Sequence, residues 1–101
     1  MRINSKDSSL YSNVYNTTAF EKAIKDVVIT FNQAYGKENL CVASGTSVVE
    51  KASNVVAKAD VVDNVYTYTP TNKTDTFFNL SHDTKVSGAI YITSVVINFV
   101  D

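Results

Sequence analysis

The side chains that could carry chemistry are few and scattered. His82 is the sole histidine and stands beside a carboxylate in Ser81-His82-Asp83-Thr84. Such a pair serves as a general base where a nucleophile and a pocket accompany it. The surrounding residues supply neither, so the segment reads as a polar turn. Cys41, the sole cysteine, lies among Leu40, Val42 and Ala43. A nucleophilic thiol needs a basic neighbour or a helix N-terminus to lower its pKa. In this apolar setting Cys41 reads as a core thiol, and being single it rules out an intrachain disulfide framework.

Asp60 and Asp63 are two carboxylates that a hard cation would use, but no glycine turn or further acidic ligand joins them as a calcium loop requires. Asp63-Asn64 reads as a connection between a helix and a strand. Gly45-Thr46-Ser47 stands before an expected helix, where amides hold anions. It lacks the glycine-rich run and the lysine of a phosphate loop, so it reads as a break and a cap. No cofactor or metal is expected, and the sequence points away from an enzyme.

The aromatic residues are the remaining candidates. Six tyrosines and five phenylalanines make 11% of the chain. Tyr66, Tyr68, Phe77, Phe78 and Tyr91 fall in the part expected to be sheet. Aromatics on a sheet stack on single-stranded bases when positive charge accompanies them. Here 9 basic residues face 10 acidic ones, the formal net charge is −1, and Arg2 is the only arginine. That balance gives no phosphate-binding face, so no nucleic-acid partner is expected. Core packing and a tyrosine-rich protein interface are the better readings.

With 101 residues the chain is the size of one domain with a modest core. Hydrophobic residues at 45% and charged residues at 19% are a globular composition. The polar start, Met1 to Ser9, has no apolar signal-peptide core, and no apolar run is long enough for a membrane span. Secretion and a membrane partner are therefore not expected. The sequons at Asn16, Asn72 and Asn79 read as chance in a chain rich in Asn, Ser and Thr.

The elements that must position these residues follow from periodicity. Residues 1–16 are polar, with Leu10, Tyr11, Val14 and Tyr15 scattered through them, and read as an extended arm that packs on its own domain or reaches a neighbour. Residues 17–101 read as one domain. Thr18 with Glu21 makes a capping box, and Phe20, Ile24, Val27, Phe31 and Ala34 recur at three- and four-residue steps, predicting a helix from Thr18 to Tyr35 ended by Gly36. Leu40 to Ser44 reads as a short buried strand. Ser47 to Asp60 repeats a capping box with Glu50 and carries Val48, Val49, Ala52, Val55, Val56 and Ala59 at helical spacing. A strand pair is the rival reading there because valine opposes helix. Val61 to Thr69, Thr76 to Leu80 and Ala89 to Val100 read as strands separated by polar turns. The last has Tyr91, Val95, Ile97 and Phe99 against Ile90, Ile92, Val96 and Val100, so both faces are apolar. Such a strand is central in a sheet or lies at a subunit contact. The expected fold is α+β, with two helices packed on one face of a mostly antiparallel sheet of about four strands.

Thr69-Pro70-Thr71-Asn72, then Asp75-Thr76-Phe77-Phe78-Asn79-Leu80-Ser81-His82, then Val86-Ser87-Gly88-Ala89-Ile90-Tyr91-Ile92 resembles an arrangement in small β-domains of tailed-bacteriophage virion proteins. The order is a polar turn, T-x-F-x-L, a short turn, then V-S-G and an alternating strand. This chain lacks that pattern's glycines in the first turn and after the last strand, and its first half has no counterpart there. The resemblance covers residues 69–92. It implies a connector, tail or decoration subunit in a virion or host cytoplasm, and it transfers no catalytic residue. The expected function is thus non-enzymatic: a subunit that self-associates or docks on a larger assembly. Its C-terminal strand and arm would serve as contacts, through Tyr11, Tyr15, Tyr91, Val95, Ile97 and Phe99. The alternative is a small phage-encoded inhibitor or regulator of one host protein.

Overall fold

The computed structural model describes residues 2–5, 13–32, 40–82 and 88–101. Among them are seven strands: β1 (Arg2–Ser5), β2 (Asn13–Tyr15), β3 (Ile24–Phe31), β4 (Leu40–Gly45), β5 (Val65–Tyr68), β6 (Phe77–His82) and β7 (Gly88–Phe99). The only helical turn among the described residues is a 3-10 turn at Lys58–Asp60. The strands form two antiparallel sheets, in the orders β1-β7-β3-β5 and β2-β6-β4. The expected α+β fold is therefore wrong, and the described chain is an all-β sandwich.

The first expected helix is overturned by a bulge. Ile24 pairs with Phe99 and Asp26 with Asn98, which leaves Lys25 as an extra residue on β3. The buried positions are then Ile24, Val27, Ile29 and Phe31, at steps of three, two and two. A period of two interrupted once by a step of three imitates a helix face. The run Val27-Val28-Ile29-Thr30-Phe31 is β-branched or aromatic throughout, which suits a pleated surface better than a helix. Ala34 and Tyr35 lie outside the described residues.

The second expected helix is an extended strap. Ala52 and Val56 are its buried anchors, while Val48 and Val55 are exposed. Its backbone bonds go to the sheet instead of to its own preceding turn. The Ala52 amide donates to Ser81 Oγ at 3.3 Å. The Val56 amide donates to the Leu40 carbonyl at 2.8 Å, and the Val42 amide to the Asn54 carbonyl at 3.3 Å. The four valines of the segment, Val48, Val49, Val55 and Val56, raise the cost of helix, and the β4 edge offers the backbone another partner.

The strap explains why all six residues of β6 are buried. Side chains alternate across a strand. Phe78 and Leu80 enter the main core with Val27, Ile29, Leu40, Val42, Val56, Ile90 and Ile92, and His82 shares their face by parity. Phe77, Asn79 and Ser81 face outward beneath the strap. Asn79 Nδ2 donates to the Val49 carbonyl at 2.7 Å and to Asn13 Oδ1 at 3.2 Å, and Ser81 Oγ donates to Asn79 Oδ1. Those bonds cancel the cost of burying polar groups.

The last three strands exist close to their expected places but do not pair in succession. β5 pairs with β3, β6 with β2 and β4, and β7 with β1 and β3. β6 and β7 thus belong to opposite sheets and meet through their core side chains. Of the arm's two expected options, its described parts take the first: β1 and β2 are strands of the domain's own two sheets.

Candidate protein interface

β7 is twelve residues long, and its two flanks are unequally covered. β1 covers Gly88 to Tyr91, and β3 covers Ile92 to Phe99. Which edge each residue faces follows from the ladder. The Phe31 amide donates to the Asn64 carbonyl on the β5 side, at 2.8 Å. Antiparallel bonding alternates, so Val27 and Ile29 also bond toward β5, and Asp26, Val28 and Thr30 bond toward β7. Their partners Asn98, Val96 and Ser94 then point toward β3. The Val100 amide, donating to the Ala23 carbonyl at 2.8 Å, keeps the same parity.

The amides and carbonyls of Val95, Ile97 and Phe99 consequently point to the opposite edge. Among the described residues no strand pairs along that edge from 93 to 99. The side chains follow the same alternation. Val95 and Ile97 pack against the core, and Val96 is 48% exposed on the solvent face. Thr93 is an extra residue between the pairs Phe31–Ile92 and Thr30–Ser94. This second bulge moves Tyr91 to the solvent face while Val95 and Ile97 stay inside. The expected single face of Tyr91, Val95, Ile97 and Phe99 is thus split between two.

Phe99 closes the far end of β7. Its ring meets Phe20 edge-on at 5.2 Å, and Phe20 stacks on Phe78 at 6.1 Å. An open concavity of about 450 Å³ lies beside it, with Ile24, Pro70 and Val100 as apolar lining, Lys25 and Lys73 as cations and Asp101 as a carboxylate. A smaller hollow of about 260 Å³ on Phe20, Glu21, Lys22 and Phe99 adjoins it.

The remaining sequence candidates are placed as follows. His82 is the last residue of β6, paired with Leu40 and fully buried, so the expected polar turn at Ser81-His82 is corrected. Asp83 lies outside the described residues. Cys41 is buried in β4, opposite Ser81 and under the strap. Asp60 ends the 3-10 turn, and Asp63 and Asn64 take positive φ of 53° and 64° in the turn that joins Val62 to Val65. Aspartate and asparagine tolerate that conformation, and a two-residue turn of this hand needs it twice. Gly45 ends β4, and no helix follows it. Tyr15 is partly exposed in β2, and Tyr11 lies outside the described residues.

Sequence reasoning missed one buried polar cluster. Ser44 Oγ donates to Asp75 Oδ2 at 2.6 Å. That uses its one proton, so the Tyr68 hydroxyl donates to Ser44 across 2.9 Å. The three residues come from β4, the turn before β6, and β5, and nothing in their spacing links them. The cluster ties the two sheets together at the end of the sandwich.

No helix among the described residues is long and apolar enough to cross a membrane. No protein-family model, no curated protein and no solved structure matches the chain.

Proposed function

We propose that this chain is a non-enzymatic assembly subunit, of the virion type implied by the pattern at residues 69–92, and that it docks on protein through the open edge of β7. One observation carries the reading. From 93 to 99 the strand offers backbone groups that no described strand pairs, and no charge stands anywhere from Ala89 to Val100. Natural edges that must stay single are blunted by lysine, proline or inward charge. This stretch has none of these, and its one bulge sits at the start. An edge left in that state is a template for strand addition. Tyr15 and Tyr91 are secondary contacts in this reading. β1 and β2 are engaged in the domain's own sheets, so the burden falls on β7.

The test uses Val96→Lys. Val96 faces solvent and belongs to no core cluster, so the substitution should change stability by no more than about 0.5 kcal/mol. It puts a charge on the edge where pairing would occur. Light scattering over a concentration series should give a mass above the monomer for the wild type and a monomer for Val96→Lys. Identical behaviour of the two proteins, in mass and in incorporation into assembled particles, overturns the reading. A tight complex with one host protein and no self-association would replace it with the inhibitor reading.

A further inference from the structure

The open edge fits one occupant better than any other on geometric grounds. We infer that it is the same edge of a second copy, the two β7 strands pairing antiparallel about a two-fold axis at Val96 to make one continuous eight-stranded sheet. This inference rests on the docking role of β7 proposed above and names its partner.

A two-fold contact must be self-complementary, with each residue pair occurring twice. The register centred on Val96 sets Val95 against Ile97 of the second copy, Ser94 against Asn98, and Thr93 against Phe99. Val95 and Ile97 both carry outward-facing amides and carbonyls, so each such pair exchanges two backbone bonds. The two Val96 side chains then meet at a non-bonded pair, where strands approach most closely, at about 4.5 Å between Cα atoms. This pairing covers Val96, more exposed than the other large hydrophobic side chains of β7, Tyr91 and Phe99. On the solvent face Ser94 and Asn98 form a polar pair, and on the core face Val95 and Ile97 form an apolar one. A register centred on Ile97 also satisfies the backbone, but it sets Val96 against Asn98 and Ser94 against Val100, opposing apolar to polar twice.

The slot also has the right length. β1 occupies the same edge of β7 up to Tyr91, where Arg2 is its last paired residue. In the Val96 register the second copy's Val100 comes opposite Ile92, the first residue beyond β1, and its Asp101, past the end of the strand, turns away from Tyr91, whose place Arg2 holds.

Symmetric disulfide formation tests the register. Val96→Cys places one thiol on the axis, at a separation a disulfide accepts. Cys41 is buried and does not compete. Mild oxidation of Val96→Cys should give a covalent dimer at least about tenfold faster than Ser94→Cys, or than Thr67→Cys at the exposed position of β5. A mixture of Ser94→Cys and Asn98→Cys should cross-link faster than either alone. Should light scattering show self-association while Val96→Cys cross-links no faster than Thr67→Cys, the strand pairing is wrong and the assembly role stands. A wild type that stays monomeric at every concentration, with Val96→Cys uncross-linked, overturns the pairing. In that case the assembly role is judged by the Val96→Lys effect on incorporation into particles.

Discussion

At the scale of single residues, environment overrides residue type. Cys41 was legible as a core thiol because its neighbours are apolar. His82 was not legible as buried, because Ser81 and His82 look like the start of a polar turn. Burying them requires the strap over one face and the core over the other, and neither cover is local in sequence. Tyr66 shows the same rule in a measurable form. It packs beside the core opposite Ile29. Burial pushes its phenol above the ordinary 10.0, and the charge of Asp60 and then Tyr68 add to the shift. The folded chain therefore keeps a proton that the unfolded chain has already lost above pH 10.0. The contribution to stability is complete below that pH and disappears as pH rises through the folded value. Urea midpoints measured up an alkaline series should fall less steeply for Tyr66→Phe than for the wild type. Parallel slopes for the two proteins would refute this.

At the scale of elements, the strands with plain alternation were readable and the interrupted ones were not. β5, β6 and β7 were found because tyrosine, threonine, valine and isoleucine cluster between turn residues. β3 was hidden by the bulge at Lys25, which converts a two-residue period into apparent helical steps. The segment before β5 was hidden because Ala52 and Val56, four residues apart, imitate one side of a helix. Asp63-Asn64 carries a turn signal of the hairpin kind, which a plain helix-to-strand connection does not need. The strap makes the most exacting element-scale prediction. Its Ala52 points to the sheet with its amide bonded to Ser81, and Ser53 is exposed. Ala52→Glu should force a charged side chain into that space, lift the strap from Asn79 and Ser81, and cost at least about 2 kcal/mol. Ser53→Glu should change stability by no more than about 0.5 kcal/mol. Denaturant midpoints give the comparison, and faster hydrogen exchange at the Val56 amide in Ala52→Glu would locate the damage. Equal midpoints for the two variants would mean that the strap does not cover the sheet.

At the scale of the whole molecule, the sandwich is assembled from distant partners. Arg2 pairs with Tyr91, Asn13 with Ser81, and Ile24 with Phe99. Nothing local announces such pairings, which is why two layers of strands were read as helices on one sheet. The same topology sets the kinetics. Loops must close before these contacts reward them, and folds of this kind refold in milliseconds to seconds. During that interval Ala89 to Val100, uncharged and rich in β-formers, waits for β3 and β1. A segment of that composition pairs with its own copies when exposed. Refolding from denaturant should therefore lose yield as protein concentration rises. Val96→Lys should recover much of that yield, because Val96 faces solvent and its backbone bonds to β3 are left in place, while its charge opposes strand addition in the unfolded chain as well as at the folded edge. Stopped-flow fluorescence of the tyrosines gives the rate, and light scattering after dilution gives the yield. Sub-millisecond refolding would contradict the non-local topology. A yield independent of concentration, equal in the two proteins, would show that β7 is not the segment that associates.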